Sequence, residues 1–334
     1  MRRGVFAAAG IAAGVATGWW GYKRHRLTRA VAPELRSPFL YLDSAFIPGC
    51  VVAPLSVLIR SVNLARAMRQ PVEVKEIAGE CEGHDFHVRI LRPPAAQVPA
   101  PAVLWMHGGG HLIGSPAFYD PQNSELAATL GAVVISPYYP KSTQALFPAG
   151  LNACYAALRW AQEPAEEMGF YKQRIAIAGD SAGGGLAAAV TQRAFDEGHP
   201  VCFQALIYPM LDNRTPDKEG AVGKFMWTAP FNRAAWSSYL GKNHRSEGLK
   251  RYAAPGRRED LQGLPPTWLV VGELDLFHDE VVDYARRLRG AGVDTTVEVI
   301  PGAYHIFDQI RPAAGASRKM FRHFAEALRT GLEG

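Results

Sequence analysis

Two glycine-rich stretches, each closing an apolar run, limit what this 334-residue chain can fold into. His107-Gly108-Gly109-Gly110 follows Ala102-Val103-Leu104-Trp105-Met106, and Gly179-Asp180-Ser181-Ala182-Gly183 follows Ile175-Ala176-Ile177-Ala178. The second fits G-x-S-x-G, a strained turn from a strand straight into a helix, where only small neighbours avoid a clash. The first offers backbone N–H groups on a loop free of side chains. Unbroken apolar runs such as Ala102–Met106 and Ala132–Ser136 suit strands covered on both faces.

The surrounding periodicity extends this pattern. From about Val72 the chain turns to strands, and His87–Leu91 alternates like an exposed edge strand ended by Pro93-Pro94. Helices are predicted over Pro121–Leu130, Gly150–Gln162, Ala182–Asp196, Leu276–Arg289 and Ala314–Leu328. Further strands are predicted at Phe203–Tyr208, Thr267–Val271 and Thr295–Ile300. Alternating buried strands and helices call for an α/β fold, a mostly parallel central sheet with helices on both faces. Residues 212–262 have no clear strand and lie between two strands, which makes them an inserted helical cap above the strand C-termini. Trp227, Phe231, Trp236 and Tyr239 in that insertion either line an apolar pocket or form the insertion's own small core.

A serine hydroxyl is a weak nucleophile, so it needs a histidine base and a carboxylate to fix the base's tautomer. Ser181, between a strand and a small-residue helix, is the candidate nucleophile. Asp275 falls just past the strand Trp268–Val271, whereas Glu273 is still close to that strand and Asp279 and Glu280 fall in the next helix. His305 lies in the loop after Thr295–Ile300, and His323 lies inside the closing helix. The order Ser181, Asp275, His305 suits a triad on such a sheet. Gly108, Gly109 and Ala182 are the candidate oxyanion donors, with His107 anchoring their loop.

These residues resemble the hormone-sensitive-lipase-like family of α/β hydrolases, carboxylesterases and lipases with an HGGG motif. The resemblance spans about Pro101–Arg329 and includes His107–Gly110, Phe147-Pro148-Ala149, Gly179–Gly184, Tyr208–Asp212, Gly272–Asp275 and the His305/Phe307 loop. It implies an α/β-hydrolase fold, the triad above, and a cap from the N-terminal segment and residues 212–262. It further implies a small-molecule ester of short to medium acyl length as substrate, with no cofactor and no metal. The sequence departs from the family at His111, where an aromatic residue is usual; the resemblance implies that this position faces the substrate, so His111 joins Gly110, Asp180 and Tyr139 as a supporting pocket residue. It also departs at Tyr139-Pro140-Lys141, where the family has Y-R-L-A-P-E, and at His305-Ile306-Phe307, where it has H-G-F. A deacetylase or amidase could use the same triad, and a non-catalytic binding protein would be expected to lack one of its members.

The N-terminus is of another kind. Val5–Tyr22 carries no charge, repeats Gly10, Gly14 and Gly18, and ends in aromatic residues before Lys23-Arg24-His25-Arg26. Eighteen helical residues reach about 27 Å, enough for a bilayer core, so residues 1–29 are expected to form a membrane anchor with the catalytic part on the cytoplasmic side. A cleaved signal peptide and a soluble cap are the competing readings. Residues 30–71 form a lead or cap region and residues 72–334 the catalytic domain. A net charge of +5 with scattered basic residues carries no nucleic-acid footprint. Four widely spaced cysteines form no C-x-x-C pair, and Cys154 and Cys202 read as buried thiols. A homodimer is the candidate assembly.

Overall fold

Val133–Pro137, Phe203–Ile207 and Thr267–Gly272 are buried at every residue, as strands covered on both faces must be. The computed structural model describes residues 20–41, 68–163, 169–216, 219–243 and 248–334. In chain order the elements are β1 (Glu73–Cys81), β2 (His84–Arg92), β3 (Ala100–Met106), α1 (Asp120–Leu130), β4 (Val133–Pro137), α2 (Ala149–Gln162), β5 (Phe170–Asp180) and α3 (Ser181–Asp196). β6 (Phe203–Ile207), α4 (Ala229–Leu240), β7 (Thr267–Gly272), α5 (His278–Gly290), β8 (Thr295–Ile300), α6 (Phe307–Ile310) and α7 (Gly315–Glu333) complete it. Each predicted helix and strand has its counterpart, shifted at the ends where caps rather than periodicity set the boundary. Gly131 in the left-handed region ends α1, for example.

The eight strands form one sheet in the order β1-β2-β4-β3-β5-β6-β7-β8. β1 and β2 pair antiparallel, as do β2 and β4, and the rest of the sheet is parallel. β2 is therefore not the edge strand that its alternation suggested. β1 covers it, and the alternation reflects one wetter face. β1 itself is one edge of the sheet, β8 being the other, and its charged residues Glu73, Lys75, Glu76 and Glu80 discourage further pairing. Phe324 of α7 packs against Trp105 of β3 and Trp268 of β7.

Register positions the site. Met106 pairs with Gly179, so the two glycine-rich stretches leave neighbouring parallel strands side by side. A Cβ on Gly183 would collide with the Met106 and His107 carbonyl oxygens, so the first turn of α3 can approach β3 this closely only as glycine. The loops after β7 and β8 emerge at the same end, since Gly272 pairs with Ile300.

The described part of the N-terminal region packs on the body. Residues 20–28 are helical, and Arg24 is buried, donating to the Leu40 carbonyl at 2.5 Å and the Lys224 carbonyl at 2.9 Å. It also lies over the Phe225 ring at 4.9 Å. One member of the basic cluster expected at a membrane surface is thus an internal tie between the N-terminal segment and the 212–262 insertion. Ala32 N–H donates to Gly302 O, and Tyr304 Oη–H donates to Leu35 O, so residues 32–35 brace the loop that carries His305. No helix among the described residues is long and apolar enough to cross a membrane. The expected anchor lies outside them except for its last residues, as do residues 42–67 of the lead and Cys50. Cys154 is a buried thiol, whereas Cys202 is half-buried.

Candidate active site

The turn between β5 and α3 puts Ser181 at φ 53°, in the left-handed region that an ordinary side chain rarely adopts. Such a backbone costs on the order of 1–3 kcal/mol and persists only where its surroundings hold it. Here the flanking strand and helix hold it, and the serine is the first residue of α3. The strain raises the side chain towards His305. Ser181 Oγ lies 2.9 Å from His305 Nε2, and His305 Nδ1 lies 2.8 Å from Asp275 Oδ2. Asp275 is fully buried, and its other oxygen, Oδ1, accepts the Phe277 N–H at 3.0 Å. The sequence-predicted Ser181, Asp275 and His305 thus stand in one hydrogen-bonded line. Of the alternatives, Glu273 is engaged by the Gly302 N–H, Asp279 pairs with His278, and His323 bonds Glu298 on β8. The His305 ring is walled by Tyr208 at 4.8 Å, Phe277 at 5.1 Å and Trp227 at 6.0 Å between ring centres.

The glycine-rich loop after β3 differs from expectation at Gly108. Its N–H points at Asp180 Oδ1, 2.7 Å away, so it is not available to an oxyanion. The reason is packing: Asp180 is buried one residue before the turn and needs donors, and Gly108 is beside it. Gly109, at φ 120°, and Gly110, at φ 61°, follow in conformations that favour glycine. Among the described residues no backbone partner takes the N–H of either one. Ala182, in the first turn of α3, likewise has an N–H that an α-helix leaves unpaired.

Asp180 is the hub behind this loop. Besides Gly108 it accepts Tyr119 Oη–H at 2.7 Å and Gln309 Nε2–H at 2.9 Å. Burial, and then the Asp308 carboxylate, push its carboxyl up to about 7, while the Tyr119 and Gly108 donors pull it down. Asp308 in turn accepts from Tyr208 Oη–H at 2.8 Å. Sequence alone does not single out Tyr119, Asp308 or Gln309 as site residues, and it marks Tyr208 only within the family-like stretch Tyr208–Asp212. Gln309 follows His305 by one helical turn, the only local signal that could have marked it.

His107 ties the loop to its surroundings. Its ring stacks on Tyr139 at 4.4 Å, its Nδ1 lies 2.7 Å from Gly108 O, and its carbonyl accepts Tyr139 Oη–H at 2.6 Å. Lys141, at the departure from the family pattern, is buried beneath it, with Nζ 2.9 Å from His107 Nε2. His111 is buried too, face to face with Tyr239 of α4 at 3.8 Å. Burial, then the Lys141 charge, push its imidazole down to about 3, so it is neutral at working pH. Trp236 and Tyr239 are core residues between α4 and this loop, whereas half-buried Trp227 leans over His305 and its ring fills the space above Gly110. Trp236 and Tyr239 thus follow the core alternative, whereas Trp227 stands beside His305. Among the described residues no three His, Cys, Asp or Glu side chains converge as a metal site requires.

Residues 103–309 match a protein family described as having the alpha/beta hydrolase fold. Among curated proteins, the chain is 32% identical to Esterase LipI of Mycobacterium tuberculosis, over 80% of this chain and 86% of that one. It is 35% identical to Carboxylesterase NlhH of Mycobacterium tuberculosis, over 66% of this chain and 70% of the other. Among solved structures, a bacterial heroin esterase superposes with a TM-score of 0.84 at 35% identity, covering 92% of this chain and 99% of that one. Sheet order, the strand–turn–helix at Ser181 and these matches agree: the chain belongs to the alpha/beta hydrolase fold family, among relatives that are esterases.

Proposed function

We propose that the protein is a serine carboxylesterase that hydrolyses short- to medium-chain carboxylic esters through an acyl-enzyme. The observation that carries this reading is the line Ser181 Oγ–His305 Nε2–His305 Nδ1–Asp275 Oδ2, with separations of 2.9 Å and 2.8 Å. Ser181 Oγ attacks the ester carbonyl as His305 Nε2 takes its proton. Asp275 holds the other ring nitrogen protonated and stabilises the imidazolium that forms. The carbonyl oxygen, now negative, is held by the N–H groups of Gly109, Gly110 and Ala182. Each such donor contributes on the order of a hundredfold or more in rate. His305 returns the proton to the leaving alcohol, and a water activated by the same nitrogen then releases the acid and frees Ser181. Residues 72–334 are the catalytic domain in this reading, with 212–262 as its cap, since Trp227 and Tyr239 of that insertion meet His305 and His111.

The test is hydrolysis of p-nitrophenyl esters of graded acyl length by the full chain and by Ser181→Ala. We expect turnover of short and medium esters and labelling by a fluorophosphonate probe, both lost in the variant. Retention of acyl-enzyme formation in Ser181→Ala would overturn the reading. Attachment to a membrane through Val5–Tyr22 is a separate proposal, resting on its lack of charge and on its flanking residues.

A further inference from the structure

A buried lysine lies directly behind the proposed oxyanion loop, and the reaction as written makes no use of it. Lys141 is 4% exposed, and its Nζ donates to the Tyr139 carbonyl at 2.9 Å and lies 3.8 Å above the centre of the Tyr139 ring. A carbonyl acceptor and an aromatic face suit an ammonium group. An ammonium carries only donors, so its contact with His107 Nε2, at 2.9 Å, requires that nitrogen to accept. The neutral ring then carries its proton on Nδ1, as the Gly108 carbonyl 2.7 Å from Nδ1, an acceptor only, also requires; the two contacts favour the same tautomer.

Two successive peptide planes are fixed by these contacts. The His107–Gly108 peptide is held at its carbonyl by Tyr139 Oη–H, 2.6 Å away, and at its N–H by Asp180 Oδ1, 2.7 Å away. The Gly108–Gly109 peptide is held at its carbonyl by His107 Nδ1–H. Its opposite end is the Gly109 N–H. Glycine at 108 and 109 removes the side-chain barriers that would otherwise limit rotation of that plane, so its orientation depends on contacts such as that of the His107 ring.

We propose that Lys141 is a positioning residue that locks His107 in the Nδ1–H tautomer and thereby aims the Gly109 N–H at the developing oxyanion. This rests on the proposed esterase mechanism for the use of that N–H, but the tautomer itself does not depend on it. In sequence terms the lysine stands within Tyr139-Pro140-Lys141, where this chain leaves the family pattern.

The experiment reads the tautomer and the kinetics separately. In full-length protein labelled with 15N-histidine, the His107 ring is assigned by the signals lost in His107→Asn. Its two nitrogen shifts then report which one is protonated. The expected result is Nδ1–H in the wild type. In Lys141→Met, which keeps chain length and removes the donor, we expect Nε2–H to become populated. We also expect kcat on p-nitrophenyl esters to fall about tenfold, less than the hundredfold or more for losing an oxyanion donor outright, with KM within about twofold. Nε2–H in the wild-type protein overturns the proposal, and that measurement stands even if Lys141→Met does not fold. A folded variant with unchanged tautomer also overturns it, because any loss of rate would then come from packing alone. Failure of Ser181 to label with fluorophosphonate would refute the esterase mechanism while leaving the tautomer result readable.

Discussion

Asp275→Asn tests the triad most sharply, because the surroundings of Asp275 dictate how an amide must sit. Asp275 Oδ1 accepts the Phe277 N–H at 3.0 Å and Oδ2 faces His305 Nδ1 at 2.8 Å. An asparagine that keeps its oxygen towards Phe277 turns its NH2 towards His305. Nδ1 must then accept, the ring proton moves to Nε2, and Nε2 can no longer take the proton of Ser181. The opposite rotamer restores the useful tautomer but sets NH2 against the Phe277 N–H in a fully buried site, at a cost of about 1–3 kcal/mol. In either rotamer the imidazolium loses its carboxylate, about 4 kcal/mol for unit charges about 4 Å apart at an effective dielectric of 20. Together these give about 5–7 kcal/mol, or about 10⁴–10⁵ in kcat at 1.36 kcal/mol per decade. The assay is kcat on a p-nitrophenyl ester near pH 8, with the folded fraction checked by thermal melting. A variant within tenfold of the wild type would show that Asp275 does not orient the base and would refute the reasoning.

Two further outcomes follow from the site's surroundings. The Asp180 carboxyl, pushed up to about 7, holds a proton in the folded chain at pH values where an unfolded aspartate, with a pKa of about 3.9, has lost it. The folded state therefore binds more protons between about pH 4 and 7, and the wild-type chain loses stability as pH rises through that window. Asp180→Asn has no such loss, so its melting temperature should gain on the wild type between about pH 5 and pH 8; a constant difference would contradict the buried-carboxylate account. Gly183→Ala places a methyl group against the Met106 and His107 carbonyl oxygens, which are backbone and cannot move aside. It should lower stability by about 1–3 kcal/mol or more and reduce kcat by displacing the glycine-rich loop, read by chemical denaturation and ester hydrolysis; unchanged values would mean that the helix and strand are less tightly docked.

How much of the site was legible depended on whether local sequence or distant contacts specified it. Ser181 could be read because a strained strand-to-helix turn demands small residues on both sides, and Gly179, Ala182 and Gly183 meet that demand within five positions. Asp275 and His305 could be read because parallel strands must release their loops at one end of the sheet, and each follows a recognisable strand. The edge of the sheet is not legible in the same way: β2 alternates like an edge strand, yet β1, whose faces are mostly exposed and charged, lies outside it. Alternation reports one wet face and says nothing about which strand comes next.

The order of strands and helices, the strained turn at Ser181 and the chain order Ser181, Asp275, His305 were determined by sequence itself, because propensity, period and turn sterics act over a few residues. Only the tertiary structure decided which glycine N–H groups are open. Gly108 and Gly109 are indistinguishable in sequence, but the buried Asp180 carboxylate lies beside Gly108 and takes its proton donor. The tertiary structure likewise turned Arg24 from a member of a basic cluster into an internal tie and set Lys141 under His107. Buried polar groups take whichever partners the packing brings within 3 Å, and those partners are separated in sequence by tens to hundreds of residues.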